Sequence, residues 1–473
     1  MSAQISRPHS SGCRAFLIPL SIAVGLLAFC WFNIEQTNPA HFRDFESESV
    51  GTDPKQYAVL AQNMWSRGIF SRCEKSPYVT DMLRTPVYPL VLSPIIGLGG
   101  AASAYFFQCM LHCGSCLLVY VFGRQMFGAR VAFWASIVFA TDLMLVVTTF
   151  QLNSETLFLF LLLASLVIAV PAISLSTSRS TWRLAAGGLI LALSILTRPT
   201  AQYLPVVYVL FLLFSGYRTP RKTALHIAAM MVPIIVICGS WIGRNYVVFS
   251  IPRLTTVDTH NLVYYVGAGA YQLKHDISWD KAEEMIAEEY HLDRYTVLQN
   301  HWLSQKPVSE MHAAAHDAVP KVLMKYPREL LISLGIAFFK GSLAHNVSTL
   351  ASLTGRQWSA PGFGALLKRD RTALQRLAKN DALLSVSFVW ESAHAILTFG
   401  LAVVGAVMLV PHRRSLAISL FLAVLLYFAV MICGFGLDAV PRARVGLSPL
   451  LAICAALPLT ALMARRSTLN RWI

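Results

Sequence analysis

A succession of apolar runs separated by short polar gaps sets the first limit on what this chain can become. Ten runs are long enough, or nearly so, to cross a hydrocarbon core about 30 Å thick. They are Ala15–Ile34, Ala101–Phe122, Val131–Thr148, Ser154–Ile173, Leu184–Thr197, Thr200–Phe214, Ala224–Trp241, Ala393–Val410, Leu416–Cys433 and Val445–Met463. Of the 473 residues, 55% are hydrophobic and only 13% charged, whereas soluble chains carry about a quarter charged residues. The expected fold class is an all-α polytopic membrane protein, a bundle of about 10–12 transmembrane helices with structured loops on one face.

Charge then orients the bundle. The net charge of +15 does not mark a nucleic-acid partner, because the basic residues lie in gaps between apolar runs, where they report topology. Arg7 and Arg14, Arg124 and Arg130, Arg179 and Arg183, Arg218, Arg221 and Lys222, Arg413 and Arg414, then Arg465, Arg466 and Arg471 all fall on one side if there are ten crossings. That side is the cytoplasm by the positive-inside rule, and both termini lie there. The first run is long enough to stay as an anchor rather than a cleaved signal. The expected location is the inner (plasma) membrane. Leu330–Ala344 is apolar but short; crossing alone, it would flip every later basic gap outward. It is therefore expected to be interfacial, re-entrant, or paired with the run that begins near Ala382.

The chain divides accordingly into residues 1–34 (cytoplasmic N-terminus and first span), 35–100 (first outer loop), 101–242 (helix bundle), 243–381 (outer or interfacial region) and 382–473 (C-terminal spans). The fourth piece holds no hydrophobic run large enough for a core of its own. Its helical stretches, Trp279–His291 and Ala365–Asn380, are expected to lie across the membrane mouth. The nine cysteines form no disulfide framework, since most lie inside apolar runs. Cys109, His112, Cys113 and Cys116 have metal-like spacing, but in an apolar segment thiols and small residues pack between helices.

The polar loop 35–100 is where chemistry is expected. Asp53 follows Gly51-Thr52 and precedes Pro54, a helix-start signature. Tyr57, Leu60, Ala61 and Met64 then recur at helical spacing and would face the membrane. Asp53 is either a helix cap or a carboxylate placed as a general base. Arg84 opens Arg84-Thr85-Pro86-Val87-Tyr88-Pro89, a rigid turn that runs back into hydrocarbon. Its guanidinium either meets lipid head groups or grips a phosphate in bidentate fashion. Arg198, Arg244, Arg442 and Arg444 end apolar runs on the same outer side, where positive charge is disfavoured unless it meets an anion. Glu155 begins a span there and is expected to pair with an arginine.

These residues, in this order, resemble a family. Asp53-x-x-x-Tyr57, Arg84-Thr85-Pro86-x-Tyr88-Pro89, Ser154-Glu155-Thr156, Leu196-Thr197-Arg198-Pro199, Trp241-x-x-Arg244-Asn245 and Pro441-Arg442-Ala443-Arg444 are similar to the motifs of the GT-C glycosyltransferase superfamily. The nearest resemblance is to the bacterial branch related to protein O-mannosyltransferases and the lipid A aminoarabinose transferase (glycosyltransferase families 39 and 83). It covers about residues 15–466. It implies a GT-C-type bundle and an undecaprenyl- or dolichyl-phosphate sugar donor. Transfer would go to an acceptor lipid, glycan or protein on the extracytoplasmic face.

Asp53 would match the catalytic aspartate and Arg84 the donor-phosphate ligand, with Arg244, Arg198, Arg442 and Arg444 beside it. Gln56, Tyr57, Tyr88, Glu155, His260 and Asn261 would support them. Three positions depart from the family pattern: Pro54 where an acid often follows, Leu83 where the aminoarabinose branch has an acid, and Ala443 where a tyrosine is usual. The first two argue against a divalent metal and the aminoarabinose activity, so no cofactor is firmly implied. The outer region 258–381, with Trp279, Trp302 and Trp358, is expected to select the acceptor or to anchor at the interface. A transporter of lipid-linked glycans is the competing reading, but it would place polar groups deep within spans, and here they gather at one face.

Overall fold

The computed structural model describes residues 11–43, 45, 52–174, 178–214, 219–294, 304, 306–358, 381–413, 415–438 and 440–466. Among these residues all regular structure is helical. Helix α1 (Ser11–Thr37) crosses the bilayer and ends in a 3-10 turn at Pro39–Phe42. The amphipathic α2 (Thr52–Arg67) lies against the first arm of α3 (Val87–Phe127). The chain does not run straight from Arg84 into a span, as the sequence suggests. Helix α3 breaks at Gly100, whose φ of 71° is open to glycine. In a straight helix Tyr88 and Gln108 would stand about 30 Å apart. Here the Tyr88 hydroxyl donates to Gln108 Oε1 at 3.2 Å, so residues 87–99 fold back on the spanning arm.

The bundle continues with α4 (Ala129–Ala140) and α5 (Leu143–Thr149), a pair bent by 58° at its break. Then come α6 (Glu155–Ser174), α7 (Ser178–Thr197), the short α8 (Leu204–Phe214) and the long α9 (Pro220–Phe249). Helix α6 is apolar on every side and correspondingly central, whereas α9 turns most of its surface outward. Within hydrocarbon, helices gain nothing by hiding apolar surface from lipid, so close packing must hold them.

The outer region comprises α10 (Val257–Asn261), a π-turn at Leu262–Gly267, α11 (Ala268–His275), α12 (Trp279–Glu289) and α13 (Val308–Lys325). Contrary to the sequence reading, it has a core of its own. Val263, Tyr264, Ala268, Tyr271, Ala282, Ile286, Ala318 and Val322 form a separate buried cluster. That core is assembled from spaced residues on four elements, not from one run, and so leaves no contiguous hydrophobic signal. Trp279 belongs to it: its indole N–H donates to the Tyr264 carbonyl at 2.7 Å and its ring stacks on Tyr265. Trp358 packs on Phe388; Trp302 and the stretch Ala365–Asn380 lie outside the described residues.

Next, α14 (Pro327–Leu343) and α15 (Val347–Leu353) form a second bent pair, at 55°. Its first helix begins beside the outer region, where Lys274 pairs with Glu329. Its second ends against Asn38, which donates to the Leu353 carbonyl at 3.1 Å. Contacts at both ends, with α11 and with the end of α1, suit a re-entrant pair. Helices α16 (Ala382–Leu409), α17 (Leu416–Ile432) and α18 (Ser448–Arg466) close the bundle. A Cβ at Gly405 of α16 would fall 1.9 Å from the Cys454 carbonyl oxygen of α18, so only glycine permits that crossing.

Seven described helices are long and apolar enough to cross a membrane, the bent pair α4–α5 passes the same test only when its two helices are taken together, and Pro199–Leu213 and Ser448–Met463 are shorter apolar helices. The chain is a multi-pass membrane protein of about the helix count the apolar runs predict.

Candidate active site

Five charged side chains meet on the face where α1 ends. Asp53 lies in the first turn of α2, one residue inside the helix, where an anion is favoured by the helix dipole. Its carboxylate does not cap α2. One oxygen takes Arg84 Nη2 at 2.5 Å and the other Arg442 Nη2 at 2.7 Å. Arg442 comes from a 3-10 turn, Pro441–Arg444, between α17 and α18. A second guanidinium nitrogen of Arg442 stands 3.6 Å from Glu155, the first residue of α6, and Glu155 also meets Arg198 Nη1 at 2.8 Å. The resulting row is Arg84, Asp53, Arg442, Glu155, Arg198. Three guanidiniums face two carboxylates, which leaves the row net positive.

Helical spacing builds the support. Gln56 and Tyr57 stand three and four residues beyond Asp53, so they share its face. Gln56 Oε1 accepts from Arg84 Nε at 3.0 Å and Nη2 at 2.7 Å, and the Arg84 guanidinium lies 4.9 Å from the Tyr57 ring centroid. Tyr57 donates to Ser154 Oγ at 3.3 Å and meets Tyr88 edge-to-face. The α2 face carrying Tyr57, Leu60 and Ala61 is buried in the protein rather than laid on the membrane. The folded-back arm of α3 covers it; beside it, α2's Trp65 crosses that arm where Gly97 has no side chain.

Electrostatics follow the geometry. Burial alone pushes the Asp53 carboxyl up, but the Arg84 and Arg442 guanidiniums outweigh it and hold the group well below the usual carboxylate range. Burial disfavours the charge on Arg84 and Arg442, yet their carboxylate partners raise both above the ordinary guanidinium value. His260 on α10 is buried and within the field of Arg84; burial first, and Arg84 second, lower it to about 3, so its imidazole is neutral at physiological pH. Asn261 ends the same helix, half-buried.

Two of the seven sequence-named arginines and acids stand elsewhere. Arg244 donates to the Asp81 carbonyl at 3.1 Å and lies 4.6 Å from the Trp241 ring centroid. Arg444 turns inward, to Asp142 Oδ1 at 3.2 Å and the Ala344 carbonyl at 2.7 Å. Sequence reasoning missed Arg72 and Asp81, a fully buried pair at 2.6 Å. The spacing Asp81-x-x-Arg84 was their one signal, because a carboxylate there can accept the Arg84 backbone N–H, as it does at 2.8 Å. His112 stacks on Phe139 and Cys116 is fully buried, both packed within the bundle. Among the described residues no three His, Cys, Asp or Glu side chains stand together as metal ligands would.

The sequence model of one family, described as dolichyl-phosphate-mannose-protein mannosyltransferase, matches residues 84–242. In structure the chain is similar to the archaeal oligosaccharyltransferase AglB of Archaeoglobus fulgidus in complex with an inhibitory peptide and a dolichol-phosphate. The TM-score is 0.50 and the identity 13%, over 98% of this chain and 52% of AglB. Against the apo oligosaccharyltransferase of that organism the TM-score is 0.52 and the identity 14%, over 96% of this chain and 51% of the other. Against ArnT of Cupriavidus metallidurans bound to undecaprenyl phosphate the TM-score is 0.39 and the identity 16%, over 91% and 77%. No curated protein sequence matches the chain. The chain spans about half the length of the oligosaccharyltransferases it matches.

Proposed function

We propose, starting from a chain that has the GT-C glycosyltransferase fold, that it moves a sugar from a polyprenyl-phosphate donor to an acceptor hydroxyl with inversion, on the extracytoplasmic face. The observation that carries this reading is one carboxylate held between two guanidiniums brought from distant segments, Asp53 between Arg84 and Arg442. The acceptor oxygen bonds to the anomeric carbon as the bond from that carbon to the phosphate oxygen breaks. The hydroxyl proton passes to Asp53, and the electron pair leaves with the polyprenyl phosphate.

Negative charge grows on the leaving phosphate, so fixed positive charge there favours the transition state over the ground state. Arg84 and Arg442 supply it, and Arg198 adds to the field through Glu155. The free site holds Asp53 too acidic to be a good base. A donor phosphate that draws the guanidiniums toward itself would loosen that hold and return basicity to Asp53, so donor binding itself would arm the base. The match to a family described by dolichyl-phosphate-mannose supports the donor class. The outer face is supported by the basic gaps at the opposite ends of the spans, carrying Arg124, Arg130, Arg221 and Lys222.

The test is transfer by purified protein from a panel of radiolabelled polyprenyl-phosphate sugars, wild type against Asp53→Asn. Turnover with one donor should fall by about 10²–10⁴-fold in the variant. Undecaprenyl phosphate should bind the variant at least as tightly, because both guanidiniums have lost their competing anion. Wild-type turnover in the variant would remove Asp53 from the chemistry. No turnover with any donor, together with passage of lipid-linked glycan across liposomes, would favour the transporter.

A further inference from the structure

Arg84 emerges from a strap, residues 80–85, that has no regular structure yet is fastened on every side. The Asp81 N–H donates to the Phe70 carbonyl at 2.9 Å, and the Asp81 carbonyl accepts from Arg244 at 3.1 Å. The Leu83 carbonyl accepts from the Thr255 hydroxyl at 2.7 Å, and the Thr85 hydroxyl donates to the Thr197 carbonyl at 3.0 Å. At its centre the Asp81 carboxylate is fully buried, with one oxygen on Arg72 Nε at 2.6 Å and the other on the Arg84 backbone N–H at 2.8 Å.

A neutral side chain would satisfy one backbone N–H. A buried ion pair is a costly way to do so, and replacing such pairs with apolar residues is often neutral for stability. What the pair does offer is a fixed position: two fully enclosed side chains paired at 2.6 Å, one of them bonded to the backbone that carries the guanidinium. A bidentate phosphate grip depends on that kind of fixation, since small displacements of a binding group forfeit its geometry.

We propose that Asp81, held by Arg72, is a positioning residue for the donor phosphate. It fixes the Arg84 backbone so that the guanidinium meets a phosphate beside Asp53. Arg244 acts through the same strap: it steadies the Asp81 carbonyl from an aromatic nest of Phe70, Trp241 and Phe249 and does not touch the donor. This inference rests on the reading of Arg84 as the phosphate ligand, and the experiment separates the two.

The readout is binding of undecaprenyl phosphate to the full chain in nanodiscs, with the melting temperature followed in parallel. Arg72→Met/Asp81→Leu retires both charges and the acceptor; affinity should fall about tenfold, the cost of one displaced charged hydrogen bond, with little change in melting. Arg72→Met/Asp81→Asn keeps an acceptor for the Arg84 N–H and should bind within about twofold of wild type. Wild-type binding by the Asp81→Leu pair would overturn the proposal. If that pair does not fold, Arg244→Met and Thr255→Val each release one fastening. Both should then weaken binding at a temperature where each variant is fully folded, and wild-type binding by both would also overturn it. Arg84→Gln stands as the control: if it binds undecaprenyl phosphate as wild type does, the reading of Arg84 fails, whatever the strap does.

Discussion

Asp53 has two guanidiniums within hydrogen-bond reach, and a donor phosphate would compete for both. The neighbouring imidazole of His260 bears on that competition because it stays neutral, lowered to about 3 by burial and by Arg84. A charged imidazole would stand as one more cation beside Arg84. The same shift has a consequence for stability. The unfolded chain takes a proton on His260 as pH falls below about 6.5, while the folded chain refuses it until about 3. The contribution is therefore complete above the unfolded value and is lost as pH falls toward the folded one. Between pH 7 and 5 the loss should be about 2 kcal/mol, and it should be absent from His260→Phe when melting is followed across that range. His312, across a cleft from His260, is lowered by burial too and will keep some acid sensitivity in the variant.

At this scale Arg84, Glu155 and Arg442 were legible as charges at the ends of apolar runs, and Asp53 as the acid of a helix-start signature. Arg72 and Asp81 were not. In sequence, a buried ion pair within a polar loop is indistinguishable from two solvated charges.

Between the residues and the bundle stand two broken helices, and one side chain joins them. The first break, between α4 and α5, holds Asp142; the second, between α14 and α15, exposes the Ser342 and Ala344 carbonyls. Arg444 bonds to all three. A break inside a membrane frees backbone groups that lipid cannot satisfy, and Arg444 answers that need with its forked donors. Arg442, two residues earlier on the same 3-10 turn, points instead to Asp53 and Glu155. The two arginines should therefore fail differently. Arg444→Met leaves Asp142 buried without its partner and should cost about 3–5 kcal/mol of stability, seen as a lowered melting temperature in detergent. Arg442→Gln should melt close to wild type and lose donor binding. The opposite pattern would mean the roles are exchanged.

The elements themselves were unevenly legible. Spans follow from hydrophobic length, a property of contiguous sequence. The hairpin at Gly100 and the small outer core depend on contacts between segments, so only a paired Gly99-Gly100 hinted at the first and nothing marked the second.

For the molecule as a whole, everything proposed about the site depends on which side of the membrane it faces. Counted with α4–α5 as one crossing and α14–α15 as a re-entrant pair, the described helices return the C-terminal spans to the register set by the N-terminal ones. Residues of the outer region then share a face with the Asp53 loop, and the gap between α16 and α17 lies opposite. If α14–α15 crossed, that gap would swap sides while the Asp53 loop stayed. Exposed positions separate the cases: Glu74 in the first loop, Asp317 on α13, Trp182 near the start of α7, and Arg413 between α16 and α17. With a cysteine placed at each in turn, a membrane-impermeant maleimide added to intact cells should label positions 74 and 317 and spare 182 and 413. Labelling at 413 together with 74 would show that the bent pair crosses, and would put Arg442 and Asp53 on opposite faces, which their 2.7 Å contact forbids. Labelling at 182 with 74 protected would instead turn the whole bundle over and move the chemistry to the cytoplasm.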